Sequence, residues 1–236
     1  RNSYRQIRTA HSRVTSDISW ARQNEFDLGG FIQKNTNELL TGAGVFLSNR
    51  TTLHNLDQFT VLASFFPEKY DDLNSFGNGA YRTEEQTFLG LSYDSDASQG
   101  FSYGVGLGVE EEVLGGDTLI SRISFAWRPN ERFALNLKVR HFNRKGWLLH
   151  QEGINMTGFD AEQWTPSISA EYFLNARQQL KFSLQWVGIK AKEKTFYRIS
   201  SEPGDLIEVP KPPGPSDSFS LSQMALQLRY RWEIAP

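Results

Sequence analysis

Along most of this chain, hydrophobic residues recur at every second position. From Phe101 to Val109, Phe101, Tyr103, Val105, Leu107 and Val109 project one way, while Ser102, Gly104, Gly106 and Gly108 project the other. Leu119, Ile123, Phe125 and Trp127 repeat the pattern against Arg122, Ser124 and Ala126. Phe133, Leu135, Leu137 and Val139 then alternate with Ala134, Asn136, Lys138 and Arg140. Sustained alternation of this kind predicts β-strands with one apolar and one polar face. No long segment keeps apolar residues at i, i+3, i+4 and i+7 together, so helices are not expected. The pattern predicts eleven strands, over 3–21, 24–34, 39–49, 57–66, 80–93, 101–113, 117–128, 132–148, 161–174, 178–196 and 217–234.

The connections fall into two kinds. Short turns are expected at Arg22-Gln23, Asp94 to Gly100, Arg128 to Glu131 and Asn175 to Arg177. Long polar stretches are expected at Pro67 to Gly79, Gly146 to Ala161 and Ser200 to Ser216. The last holds Pro203, Pro210, Pro212, Pro213 and Pro215, which cannot join a central strand. In the second half the two kinds alternate, as an up-and-down antiparallel barrel of the outer-membrane type requires. Several runs reach a dozen residues or more, enough to cross a bilayer at a tilt and longer than soluble sandwiches use. The polar face, with its Gly, Ser, Asn, Gln, Lys and Arg, suits a watery lumen. Its expected lumen residues are Arg122, Lys138, Arg140, Glu171, Lys181, Arg229, Arg231 and Glu233. Trp127, Trp147, Trp164, Tyr172, Tyr230 and Trp232 fall near strand ends, where interfacial aromatic girdles form. The whole of 1–236 reads as one barrel domain, all-β and antiparallel, with lipid or lipopolysaccharide of an outer membrane and other envelope proteins as its partners.

Composition narrows the function. The 236 residues carry 25 Lys plus Arg against 27 Asp plus Glu, a formal net charge of −2, so no basic nucleic-acid footprint exists. Aromatics make up 13% of a chain of low mean hydropathy, which sets it apart from disordered acidic chains. No apolar run is long enough for a transmembrane helix. Cysteine is absent, which removes disulfides, thiolate metal sites and cysteine nucleophiles. The first residue is Arg, no charged-then-apolar leader follows it, and the reading is of an internal piece of a longer chain.

The runs Gln223-Met224-Ala225-Leu226-Gln227-Leu228-Arg229-Tyr230-Arg231-Trp232-Glu233-Ile234-Ala235-Pro236, Phe159-Asp160-Ala161-Glu162-Gln163-Trp164 and Ala176-Arg177-Gln178-Gln179-Leu180-Lys181-Phe182-Ser183-Leu184-Gln185-Trp186-Val187 resemble a family of bacterial outer-membrane proteins of unassigned function. In that family a carbohydrate-binding family 9-like β-sandwich precedes a C-terminal barrel, and further strands follow the arginine-tryptophan-glutamate segment. The resemblance implies a barrel segment, a bacterial outer-membrane location, and a pore, transport channel or anchor for a carbohydrate-handling module. The odd strand count implies further strands, because bacterial barrels close on even numbers.

Candidate chemistry is sparse. The histidines are His11, His54, His141 and His150, and none has a distinctive spacing to a serine and an acid, so no catalytic triad is predicted. Gly104-Val105-Gly106-Leu107-Gly108 lacks dinucleotide-loop spacing and sits inside a strand, where glycine marks crowding or a bend. Asp94-Ser95-Asp96-Ala97-Ser98-Gln99-Gly100 begins like a calcium loop, lacks its later ligands, and reads as a hairpin turn. Glu110, Glu111 and Glu112 read as a solvated strand end. No catalytic, cofactor or metal residue is therefore assigned, and enzyme activity is not expected. Two rival roles stand beside the pore: a non-conducting structural subunit of an envelope complex, and a soluble carbohydrate-binding β-sandwich.

Overall fold

A computed structural model describes residues 3–233. The last residue of the strand expected over 217–234, and the final three residues of the C-terminal run, lie outside the described residues. Among the described residues fourteen strands form and no helix does: β1 (Tyr4–Ile18), β2 (Ala21–Asn35), β3 (Leu40–Thr52), β4 (Gln58–Phe66), β5 (Lys69–Asp71), β6 (Tyr81–Thr83), β7 (Gln86–Asp94), β8 (Phe101–Glu111), β9 (Asp117–Asn130), β10 (Phe133–His150), β11 (Asn155–Asn175), β12 (Gln178–Arg198), β13 (Ile207–Val209) and β14 (Phe219–Trp232). The eleven long strands are those the alternation predicts. The short β5 and β13 lie within its expected long connections, whereas the strand expected over 80–93 breaks at 84–85 into β6 and β7.

The long strands make one antiparallel meander. Each pairs with its sequence neighbours, β4 passing over the small β5–β6 hairpin to β7, and β12 pairing with both β13 and β14. β1 pairs only with β2 and β14 only with β12, and no ladder among the described residues joins β1 to β14. Both strands are exposed along almost their whole length.

Through the middle of the strands the ladders carry the alternation across the sheet, and register shifts fall toward the strand ends. Leu91, Leu107 and Ser121 lie in one row, and Val105, Ile123 and Val139 lie in the next. Leu137, Ile168, Leu184 and Leu226 continue on the same face through β14. That apolar face is bare: Leu107 is 63% exposed and Leu91 56%, although both sit mid-sheet with strands on either side. The accessible surface is 15370 Å². A soluble monomer of 26.9 kDa would expose about 11,000 Å², so the sheet buries far less than a packed core would.

Turns at the two ends of the strands differ. At one end lie the tight turns at 19–20, 131–132 and 176–177 and the loops 53–57 and 95–100. At the other lie 36–39, 112–116 and 151–154 and the long connections 67–85 and 199–218. Two expected boundaries move. The first turn falls at Ser19-Trp20 rather than Arg22-Gln23. The expected loop over 146–161 is mostly strand, since β10 runs on to His150 and β11 starts at Asn155. The cause is a bulge between Lys145 and Trp147, where Gly146 takes a φ of 84°. One extra residue reverses which face each later side chain meets, so the period-two signal stops although the strand continues.

The long connections pack on one another. Arg82 donates from Nε (2.6 Å) and an Nη (2.8 Å) to both oxygens of Asp205, and its amide donates to the Gly204 carbonyl at 2.8 Å. Beneath them Tyr81, Met156 and Ile199 are buried with Leu148, Tyr197 and Leu206 around them. The Arg82 guanidinium holds the Asp205 carboxyl below its usual range, and burial pushes the Tyr81 phenol up.

Candidate polar-face site and the aromatic rims

Glycines on the polar face make room for large neighbours. A Cβ at Gly104 would meet Asp94 Oδ1 at 2.1 Å, one at Gly106 would meet Ser92 Cβ at 3.3 Å and Arg122 Nε at 3.4 Å, and one at Gly108 would meet the Phe88 ring at 3.1 Å. The Gly104-Gly106-Gly108 row is therefore the crowding row expected of it. Above it Arg122 donates to both Asp94 oxygens, at 2.8 and 2.9 Å. Around Gly90, Gly106 and Gly108 lies a cavity of about 350 Å³. Leu62, Phe88, Ile120 and Phe142 supply its apolar side, and Ser92, Arg122 and Arg140 its polar side. Because Arg122 is already paired with Asp94, Arg140 is the guanidinium left to meet a small amphipathic anion over this apolar floor.

The other charged residues expected on this face take up a common register. Arg140 lies opposite Arg122 and Thr165, and Lys138 opposite Ser124 and Ser167. Glu171 lies opposite Ala134 and Lys181, and accepts a hydrogen bond from Gln179 Nε2. Lys181 lies opposite Arg229, and Arg231 opposite Gln179. Glu233 lies past the end of β14, where its amide donates to the Arg177 carbonyl at 2.9 Å. The structure thus brings Arg122 and Arg140 to one cavity and spreads the rest along β10–β14.

Of the expected rim aromatics, Trp127, Trp164, Tyr172, Tyr230 and Trp232 are exposed on the apolar face or its margins. Trp147 is not among them. The Gly146 bulge turns it to the polar face, where it packs on Phe159, Ala161, Ala191 and Phe219 with Arg144 over its ring at 5.0 Å. Glu112 also departs from expectation: it is 8% exposed, accepts from Thr118 Oγ1, and lies 3.6 Å from Arg144. In the 95–100 loop, Asp96 spends its oxygens on Ser98 and Gln99, as a plain turn does.

Sequence reading missed the aromatics that lie over glycines on the polar face. A Cβ at Gly29 would strike the Phe46 ring at 2.3 Å, and one at Gly44 the Phe66 ring at 2.5 Å. The signal was present as Gly paired with Phe across β2 and β3, Gly29 with Phe46 and Gly44 with Phe31, and as Phe66 reaching Gly44 from β4, which only the register makes visible. Among the described residues, no cluster of His, Cys, Asp or Glu is placed to hold a metal ion.

A family model for a domain of unknown function (DUF5916) matches residues 2–236. The chain belongs to this family. No curated protein and no solved structure matches it. Within this DUF5916 domain, the surface that differs most from that of a soluble protein is the apolar face. On β11 it runs nine residues from Tyr172 to Trp164, and on β9 nine from Trp127 to Leu119. Beyond Trp164 the same face turns polar at once, with Glu162 opposite Asn143 and Lys190.

Proposed function

We propose that this DUF5916 domain is wall of a bacterial outer-membrane β-barrel, its apolar face against lipid and its polar face toward a watery interior. The observation that carries the reading is the apolar band, nine residues high on β9 and β11, which the ladders carry from β2 to β14 with Trp127, Trp164 and Tyr172 at its margins, while β1 sets Thr9, His11 and Arg13 on the same face. A transmembrane β-strand needs about 9–11 residues at a tilt, and the band has that height. The unpaired edges of β1 and β14 support further strands closing the barrel, since hydrocarbon offers backbone groups no partner. The polar face supports passage or binding of small anions through the cavity where Arg140 lies beside the Arg122–Asp94 pair.

A second reading is a non-conducting anchor, in line with the resemblance to barrels that follow a carbohydrate-binding module. It is favoured by the roof of long connections and by the aromatics Phe142, Trp147, Phe159 and Phe219 gathered near that end. Two experiments separate the possibilities. Full-length protein folded in detergent should run at different gel mobilities boiled and unboiled. Equal mobilities, with solubility in plain buffer, would sink the membrane reading in favour of a soluble sugar-binding protein. In planar bilayers, stepwise currents mark the pore and silence marks the anchor.

A further inference from the structure

Immediately past the aromatic rim at the long-loop end, the outward face of β12 carries lysine at every second position. Lys190, Lys192 and Lys194 are all exposed, and Lys145 on β10 joins them two strands away. Their counter-charges are Asp160, which faces Lys145 and Lys192 across the ladders and Lys194 at 3.4 Å, and Glu162, opposite Lys190. Glu162 is already engaged, accepting from Trp164 Nε1 at 3.0 Å and lying 3.3 Å from His141 Nε2. Four lysines therefore meet two carboxylates. On the far side of β12, β14 offers only Ser220 and Ser222 at this level. The level is not basic all the way round, because Glu111 on β8 and Asp117 on β9 face each other there. The surplus positive charge is confined to the β10–β12 sector.

We propose that this sector binds the phosphate-bearing headgroups of the lipid leaflet in which the apolar band sits. The proposal rests on the membrane reading above and deepens it by naming the lipid chemistry. Continuity places it: Trp164 and the His141 ring tilted against it (ring centroids 4.2 Å apart) mark the apolar limit, and the lysines begin one residue pair beyond. That is headgroup depth, where long ammonium side chains reach phosphates without leaving water. Asn143, Asp160 and Glu162 with Lys190 and Lys192 line a groove of about 230 Å³ there, open to the outside.

The test uses full-length protein in vesicles of phosphatidylcholine alone and of phosphatidylcholine with one-fifth phosphatidylglycerol. Bromine-labelled versions of each lipid are compared for quenching of the Trp164 signal, taken as the difference from Trp164→Phe. The parent should favour phosphatidylglycerol about five-fold or more near Trp164, from several lysines each attracting anionic lipid. Changing Lys145, Lys190, Lys192 and Lys194 together to Gln should abolish the preference, and changing all four to Arg should keep it. Both variants should still insert into pure phosphatidylcholine and keep heat-dependent gel mobility. An inserted parent with no preference, or one that the Gln variant retains, overturns the proposal while leaving the membrane reading intact. Loss of preference on adding free inorganic phosphate at matched ionic strength would overturn it in favour of a soluble-anion site. A parent that inserts into neither vesicle overturns the membrane reading and this proposal with it.

Discussion

Leu137 and Lys138 are adjacent in the chain and meet opposite surroundings. Leu137 lies between Phe125 and Ile168 on the apolar face, whereas Lys138 lies between Ser124 and Ser167 on the polar one. Leu137→Arg should cost about 2–4 kcal/mol near a bilayer midplane, and Lys138→Leu about 0.5 kcal/mol or less. Reversible folding into lipid vesicles measures both, and the reverse ranking would invert the facing. Cysteines at the two positions provide an independent check, position 138 reacting with water-soluble reagents and position 137 only with lipid-soluble ones. At this scale the sequence was largely legible, because a side chain's face follows from parity alone. Glu112 was not: its burial depends on Thr118 and Arg144, which reach it through a hairpin and a neighbouring strand.

At the scale of the strand, the eleven long elements could be read from alternation wherever parity was unbroken. It broke at Gly146. There β10 gains a residue, Trp147 changes face, and a strand end looks like a loop. The bulge is locked by its neighbour. A Cβ on Gly146 would meet the Gly115 carbonyl oxygen at 2.7 Å, and one on Gly116 the Lys145 carbonyl oxygen at 2.3 Å. Both glycines also have positive φ, at 84° and 90°. Gly146→Ala should therefore destabilise by about 1–3 kcal/mol from left-handed strain, with backbone contact adding to it. Gly153, with φ 59° and nothing within 4 Å, is the control: Gly153→Asn should be nearly neutral. Thermal or denaturant unfolding in detergent makes the comparison, and equal costs at the two sites would refute the lock.

Across the whole molecule, the roof of long connections is the part that sequence reading left blank. Proline content announced that 199–218 was no central strand, but nothing local says that Asp205 will meet Arg82, 123 residues earlier. This contact has a pH signature. Asp205 titrates below its ordinary value of 3.8 in the folded protein, so folding favours its charged form. The contribution is present above the unfolded value and is lost as pH falls through the lower, folded one. The pair is exposed, so the effect is local rather than global. Hydrogen exchange at the Arg82 amide, bonded to Gly204, should quicken below about pH 4 beyond its intrinsic pH dependence. Asp205→Asn should show the fast exchange already at neutral pH. Unchanged protection in that variant would show that Tyr81, Met156 and Ile199 hold the roof without the ion pair.

The order of strands in the sheet follows their order in the chain, which bears on how fast and by what route it assembles. Every long ladder closes a loop of a few residues except those spanning 67–85 and 199–218, and loop-closure entropy grows only slowly with length. No distant pairing has to be found before nearby ones become stable, so the search that slows most all-β chains is largely absent. Hairpins such as β11–β12, with its two-residue turn, can form early and template the next strand. On the barrel reading proposed above, the rate-determining event then shifts from finding partners within the sheet to joining whatever meets the bare edges of β1 and β14.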